Sequence, residues 1–224
     1  MNKETLSLTH LIREPTRDMA DGSSPPLLLL LHGVGSNERD LMGLTPWLDE
    51  RFFVVSARAP ITLGSEAYGW FRFEFTPSGP VVPDPREAQN SYRLILRFMD
   101  ELPEVYGVDP DRTYLMGFSQ GTIMGLSITL TRPDKVAGIV AMSGRFPDAI
   151  RPQIAPPEKL QGLPILLQHG TGDPVLPIHY GRAAREALDG LPVKLDYHEY
   201  LMGHHVTQES LADTSAWLTA RLDE

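Results

Sequence analysis

Residues 113–130 read TYLMGFSQGTIMGLSITL, and this stretch decides the fold. The apolar run Thr113–Met116 precedes the pentapeptide Gly117-Phe118-Ser119-Gln120-Gly121. A strand that reverses sharply into a helix brings backbone segments together two residues before and after the serine, where a Cβ would clash, so glycine suits both positions. A strand, then G-x-S-x-G, then a helix is the context of a nucleophile elbow, whose strained serine projects its Oγ from the carboxyl edge of a sheet.

The helix after Ser119 is predicted from apolar residues at helical spacing, with Pro133 beyond its end. Its buried positions are Ile123, Met124, Leu126 and Leu130. The helix dipole at its N-terminus would favour negative charge developing near the serine. A glycine- and serine-containing turn is also common by chance, so the functional interpretation depends on partners elsewhere in the chain.

The rest of the chain alternates short apolar runs with amphipathic stretches. This pattern predicts an α/β fold with a mostly parallel central sheet and helices on both faces. The predicted strands are Leu27–Leu31, Phe52–Val55, Thr113–Met116, Val136–Met142, Ile165–Gln168 and Lys194–Tyr200. Further helices are predicted from near Pro85 to Pro103, over His179–Leu188 with Gly190 closing it, and over Ser210–Leu222. The aromatic- and proline-rich segment Gly64–Pro85 has no clear period and is a candidate pocket wall.

Length and composition limit the possible functions. A chain of 224 residues suits one domain spanning 1–224, and 42% hydrophobic with 22% charged residues is typical of a folded protein. The net charge of −9 argues against nucleic acid as a partner and against a polybasic membrane anchor. The absence of cysteine excludes disulfides, thiolate nucleophiles and cysteine-based zinc sites.

The chain also lacks visible targeting signals. Met1–Glu14 carries the charged residues Lys3, Glu4, Arg13 and Glu14 and contains no apolar region of a signal peptide. The longest apolar run, Leu27–Leu31, is far shorter than the roughly 20 residues that a membrane span needs. We therefore expect a cytoplasmic protein without a stable membrane anchor.

A serine hydroxyl is a weak nucleophile at neutral pH and needs a base, together with an acidic group that orients the base. Asp173 follows the predicted strand ending at Gln168 and therefore lies at the carboxyl edge of the sheet, although an Asp before Pro is also a common turn starter. Gly203-His204-His205 follows the last predicted strand. Spacing alone does not separate His204 from His205 as the base.

Residues 31–35, Leu-His-Gly-Val-Gly, end the first strong strand and provide a candidate oxyanion hole. A tetrahedral intermediate carries negative charge on the former carbonyl oxygen, and two backbone N–H groups are its usual stabilisers. The expected donors are Val34, which glycines flank, and Gln120, which follows the serine. The alternative is that Gly33 and Gly35 form an ordinary turn after a strand.

These residues resemble the phospholipase/carboxylesterase family, which includes bacterial carboxylesterases and acyl-protein thioesterases. The resemblance extends over residues 27–222, and its four motifs are residues 31–35, 117–121, 169–177 and 200–204. The last motif resembles the family's Tyr-x-Met-Gly-His pattern, which implies that His204 is the base. Trp70-Phe71 looks like the family's Trp-Phe pair near the substrate, although Arg72 stands where an acidic residue often follows.

The expected function is that of a serine carboxylesterase, which hydrolyses short- to medium-chain esters through an acyl-enzyme. Ser119 is the nucleophile, Asp173 the acid and His204 the base, and no metal or other cofactor is implied. The expected partner is a small-molecule ester. The resemblance also implies a possible homodimer, because relatives are often dimers.

Other interpretations remain open. An acyl thioesterase or a lysophospholipase would use the same triad, and a catalytically silent binding module could share the fold. The aromatic side chains of the irregular segment could line an apolar groove or could simply pack against the core. They are Tyr68, Trp70, Phe71, Phe73 and Phe75.

Overall fold

A central sheet of seven strands dominates the computed structural model, which describes residues 6–74 and 82–223, without the side chains of Glu74, Val82 and Pro83. The strands are β1 (His10–Arg13), β2 (Pro26–Leu31), β3 (Phe53–Ala57), β4 (Ile61–Gly64), β5 (Ala67–Gly69), β6 (Phe73–Glu74), β7 (Val82–Pro83), β8 (Asp109–Phe118), β9 (Gly138–Met142), β10 (Pro164–Gly170) and β11 (Lys194–Tyr200). The helices are α1 (Glu38–Met42), α2 (Pro85–Tyr106), α3 (Gln120–Thr131), α4 (Pro157–Leu160), α5 (His179–Asp189) and α6 (Gln208–Leu222).

The strand order in the sheet is β1-β3-β2-β8-β9-β10-β11. Only β1, at the edge, runs antiparallel to its neighbour β3, and the other pairs in this described sheet are parallel. Parallel neighbours need crossover connections, which the helices supply. The expected mostly parallel sheet is thus confirmed, and its carboxyl edge collects the loops that follow β2, β8, β10 and β11.

The leucine run of β2 lies at the centre of the molecule, with Leu27–Leu31 completely buried. Successive side chains of a strand point to opposite faces, so Leu27, Leu29 and Leu31 join the apolar cluster that contains residues of α2, α3 and α5, while Leu28 and Leu30 join the one with residues of α1 and α6. Both sheet faces are therefore covered by helices. A continuous apolar run, without polar alternation, is what this position requires.

The structure corrects the predicted end of α2 at Pro103. The helix continues to Tyr106, with Pro103 in its last turn, and ends at Gly107, which has φ 68° and donates its N–H to the Pro103 carbonyl. A proline removes one backbone donor but does not prevent the residues after it from remaining helical. The left-handed glycine terminates the helix instead.

Other predicted boundaries shift by a few residues. β8 begins at Asp109 rather than Thr113, because Asp109 pairs with Pro26 before a register shift in the ladder. α6 begins at Gln208 rather than Ser210, since the Thr207 side chain caps it and Ser210 caps in return. The segment 64–85 also contains regular structure, because the antiparallel pairs β4–β5 and β6–β7 reach into it.

The contact between α3 and β2 provides a test of the fold. A Cβ at Gly121 would overlap the Leu31 backbone, which belongs to the most buried strand. We expect Gly121→Ala to lower the free energy of unfolding by at least about 3 kcal/mol, because neither backbone can move without repacking the core. Urea unfolding followed by circular dichroism measures the change.

Gly190→Ala is the matched control, since the nearest atom to its added Cβ would be 3.5 Å away. That variant should stay within about 1 kcal/mol of the parent. Equal stabilities of the two variants would contradict the importance of this close approach.

Candidate active site

Ser119 occupies a strained turn between β8 and α3. Its φ of 53° and ψ of −111° lie outside the conformations that residues with a Cβ usually adopt. The turn is held because the Ser119 N–H donates to the Met142 carbonyl at 2.9 Å, and the Thr122 hydroxyl lies 2.8 Å from both the Gly117 and the Met142 carbonyls. A Cβ at Gly117 would lie 2.6 Å from the Gly121 carbonyl carbon, so the turn tolerates no larger residue there.

Three side chains from separate loops meet at this turn. The His204 Nε2 lies 3.0 Å from the Ser119 Oγ, and the His204 Nδ1 lies 2.7 Å from the Asp173 Oδ2. The carboxylate can only accept, so Nδ1 carries the ring proton and Nε2 is free to accept the serine proton. Asp173 and Ser119 are buried, and the His204 side chain is 15% exposed.

Asp173 is held in place by its own loop. Its Oδ1 accepts the N–H groups of Val175 and Leu176 at 2.9 and 2.8 Å, which leaves Oδ2 for His204. The buried His169 donates from Nε2 to the Leu176 carbonyl at 2.7 Å and lies 3.7 Å from Asp173 Oδ2. Sequence reasoning missed this supporting histidine, although its place four residues before Asp173 was visible.

The structure distinguishes the two adjacent histidines. His204 reaches Ser119, and its ring lies tilted against that of Phe118 with 4.9 Å between the centroids, whereas His205 is exposed and is hydrogen-bonded to neither Ser119 nor Asp173. Both follow β11 in a loop at the carboxyl edge of the sheet. Spacing in the sequence could not separate them, because neighbouring side chains in a loop point in different directions, and the geometry agrees with the family resemblance that implied His204.

The loop after β2 brings Val34 to the serine. A Cβ at Gly33 would lie 3.4 Å from the Ser119 Cβ, so glycine allows the close approach. Gly35 has φ 82° and donates to the Tyr68 carbonyl at 2.8 Å. Among the described residues, no acceptor is bonded to the N–H of Val34 or of Gln120, the latter belonging to the first turn of α3.

His32 fixes the base of this loop. Its Nε2 accepts the Ala59 N–H at 3.0 Å, so the ring proton is on Nδ1, which donates to the Gly33 carbonyl at 2.7 Å. Burial lowers the pKa of His32, and the ring is therefore neutral near pH 7. A neutral ring suits this position because one nitrogen must accept.

The Gln120 side chain holds the backbone of the Trp70-Phe71 pair through two hydrogen bonds. Its Oε1 accepts the Trp70 N–H at 2.7 Å and its Nε2 donates to the Phe71 carbonyl at 2.6 Å. The indole of Trp70 donates to the His32 carbonyl at 2.9 Å and is fully buried. The expected substrate contact therefore does not hold for Trp70, because its ring packs beneath the loop, while Phe71 borders a cavity.

This cavity of about 630 Å³ lies between α2, α3 and the segment 145–153. Ile123, Ser127 and Thr131 form its α3 wall, and their spacing of four places them on one helix face. Ile123 lies one helical turn from Ser119, so this wall of the cavity continues from the nucleophile elbow, although Ser119 and His204 do not border the cavity themselves. Of the other aromatic candidates, Tyr68 and Phe73 do not border it, and Phe75 lies outside the described residues.

Within residues 6–74 and 82–223, no three His, Asp or Glu side chains are grouped so that they could hold a metal ion. No described helix is both long and apolar enough to cross a membrane.

Known proteins with similar sequences are esterases and thioesterases. Residues 19–222 match the phospholipase/carboxylesterase family. Acyl-protein thioesterase 1 of Gibberella zeae is 33% identical over 215 residues, covering 87% of this chain and 90% of that protein. Esterase YpfH of Escherichia coli is 32% identical over 200 residues, covering 85% and 81%.

A solved structure supports the same fold. The carboxylesterase of Bacillus cereus aligns with a TM-score of 0.80 over 98% of this chain and 97% of its own, at 22% identity. The predictions of an α/β-hydrolase fold and of an ester hydrolase are thus confirmed. The chain belongs to the phospholipase/carboxylesterase family of α/β-hydrolases.

Proposed function

We propose that this protein is a serine carboxylesterase that hydrolyses short- to medium-chain esters, with Ser119 as nucleophile, His204 as base and Asp173 as acid. The observation that carries the proposal is the continuous hydrogen-bond path from Ser119 Oγ through His204 to Asp173, with lengths of 3.0 and 2.7 Å. A nucleophile, a base and a group that orients the base, in that order, are the requirements of acyl transfer.

In the acylation step, Ser119 Oγ attacks the ester carbonyl carbon while its proton moves to His204 Nε2. Asp173 stabilises the resulting imidazolium through Nδ1. The carbonyl oxygen becomes an oxyanion, for which the Val34 and Gln120 N–H groups are the proposed donors. The tetrahedral intermediate then collapses, the bond to the alcohol oxygen breaks, and His204 returns the proton to that oxygen.

In the deacylation step, water takes the place of the alcohol. His204 removes a proton from the water as its oxygen attacks the acyl carbon, and a second oxyanion forms in the same position. Collapse breaks the bond to Ser119 Oγ, which regains its proton from His204. The sum of both steps is one ester and one water converted into one acid and one alcohol.

A thioesterase is the second candidate, because a relative that is 33% identical is named acyl-protein thioesterase 1. A thioester or a lysophospholipid would pass through the same intermediate. Against a silent binding module, all three side chains required for hydrolysis are present and in contact. A cytoplasmic location, a possible homodimer and one domain spanning 1–224 stay predictions.

Replacing the nucleophile tests the proposal directly. We expect Ser119→Ala to reduce ester turnover on the order of a millionfold and to abolish labelling by a fluorophosphonate, with little change in the melting temperature. Hydrolysis of nitrophenyl butyrate and gel-based labelling measure both effects. The matched control is Ser215→Ala. Ser215 lies on α6, and its hydroxyl donates to the Trp47 carbonyl. This variant should keep both the ester turnover and the fluorophosphonate labelling of the parent. Ser119→Ala activity within tenfold of the parent would refute the assignment.

The two histidines provide a second test, since they are neighbours in one loop. His204→Ala should be about as damaging as the serine change, because it removes the only ring in contact with Ser119 among the described residues. His205→Ala should cost at most about tenfold. Steady-state kinetics on the same ester decide between them, and a reversed order of the two losses would assign the base to His205.

The cavity predicts a dependence on acyl length. Each buried methylene contributes about 0.8 kcal/mol, so kcat/KM should rise from acetate to butyrate and hexanoate esters and flatten once the chain outgrows the cavity. Phe71→Leu should move that limit to longer chains, since Phe71 borders the cavity. Trp70→Phe should change kcat/KM by the same factor for all of these esters, because Trp70 does not border the cavity. Identical profiles for both variants would contradict an acyl site here.

A further inference from the structure

We propose that the cavity between α2, α3 and the segment 145–153 selects esters that carry a carboxylate or phosphate group, and that Arg145 binds this anion. The inference deepens the proposed function and rests on it, because the cavity would hold part of the ester that Ser119 attacks. It concerns a specificity-determining residue outside the hydrogen-bonded triad.

Arg145 borders the cavity and is partly buried, yet it has no bonded partner in the part of the chain that the structure describes. Among the described residues, no carboxylate, carbonyl or hydroxyl oxygen is bonded to its guanidinium. Arg58 is also partly buried, but it makes two bonds of 2.6 Å to Glu38. The guanidinium nitrogens of Arg145 remain accessible from the cavity, so this arginine is available to bind the oxygens of an anionic ligand.

The charge of the cavity wall is positive, although the chain as a whole carries −9. Arg93 is a second arginine in the wall, exposed and also without a bonded partner among the described residues. Among the described side chains, Asp148 is the one acidic residue that borders the cavity, and it pairs with Arg151 at 2.9 Å. Its negative charge is therefore already compensated, and two positive charges remain.

Arg145 is attached to a rigid part of the active site. It follows Ser143, whose N–H donates to the Gln168 carbonyl at 2.8 Å, and Gly144. A Cβ at Gly144 would lie 3.1 Å from the Ser119 carbonyl oxygen, which places this turn against the nucleophile elbow. The backbone that carries the arginine is thus fixed relative to the reacting serine.

The remaining walls are suited to a carbon chain. Met124, Phe146 and Ile150 border the same cavity and provide apolar surface. A mostly apolar cavity with a few polar groups fixes the orientation of its ligand through those groups. A short chain with an anionic group would contact both surfaces, and a guanidinium can bind carboxylate or phosphate oxygens in a bidentate manner.

The test compares esters that differ only in the anion. Monoethyl adipate and ethyl hexanoate share six acyl carbons and the ethyl group, and at about pH 8 the free carboxyl group of the adipate is ionised. Ethanol release gives kcat/KM for each. We expect the parent protein to prefer the adipate about tenfold or more, because a cavity that binds a polar group discriminates against an analogue lacking it.

Variants assign the preference to a residue. Arg145→Gln should reduce the ratio of the two kcat/KM values to near one, and Arg145→Glu should reverse it by like-charge repulsion. The matched control is Arg185→Gln on α5, which removes an arginine that pairs with Asp189 outside this cavity and should leave the ratio unchanged. If the ratio survives Arg145→Gln and falls with Arg93→Gln, the assignment to Arg145 is wrong.

A second pair of substrates identifies the source of the anion. Hexanoyl glycerol 3-phosphate and monohexanoylglycerol share the hexanoyl group, and only the first carries a phosphate on the alcohol side of the ester. A preference that depends on Arg145 in either pair supports the proposal and shows which side carries the anion. Hydrolysis of all four esters without such a preference overturns it while leaving the esterase intact. No hydrolysis of any ester would overturn the proposed function itself, and the inference with it.

Discussion

The turn at Ser119 depends on how closely α3 approaches the sheet. Gly117 and Gly121 meet with no room for a Cβ, and Gly121 also lies against the Leu31 backbone of β2. This contact forces the serine backbone to φ 53°, a conformation that costs free energy and persists only because buried strands surround it. The strain turns the serine out of the ladder at the carboxyl edge of the sheet, where β2, β10 and β11 also end. The position of every other group in the site is defined relative to this edge.

Buried polar side chains, which do not take part in the proposed chemistry, hold the loops at that edge by hydrogen bonds to their backbone. His32 connects the loop after β2 to Ala59, Gln120 binds the backbone of Trp70 and Phe71, and His169 binds the Leu176 carbonyl beside Asp173. Each of these side chains is completely or almost completely buried. Satisfied buried hydrogen bonds specify one arrangement, because losing a partner leaves a desolvated polar group. The site can therefore be prepared before the substrate arrives, which is the condition for stabilising a transition state.

The region around Ser119 and the cavity along α3 differ in the groups that line them. Near Ser119, the His204 ring and the loop after β2 approach the serine closely. Further along α3 the walls are apolar, with Arg145 and Arg93 adding positive charge that no carboxylate of the described residues pairs with. The first region contains the motifs by which the sequence resembles its family. The second region is our proposed basis for substrate choice, because fold alone does not determine specificity.

The sequence by itself determined the sheet, the elbow and the order of the reacting groups. A buried leucine run and glycines at fixed distances from a serine carry that information locally, since one short contact excludes other residues. The tertiary structure decided what depends on distant partners. It separated His204 from His205, buried Trp70 while leaving Phe71 at the cavity, and showed that His169 supports the Asp173 loop. It also moved the end of α2 past Pro103, where a left-handed glycine rather than the proline ends the helix. These features follow from side-chain direction and burial, which a linear pattern does not specify.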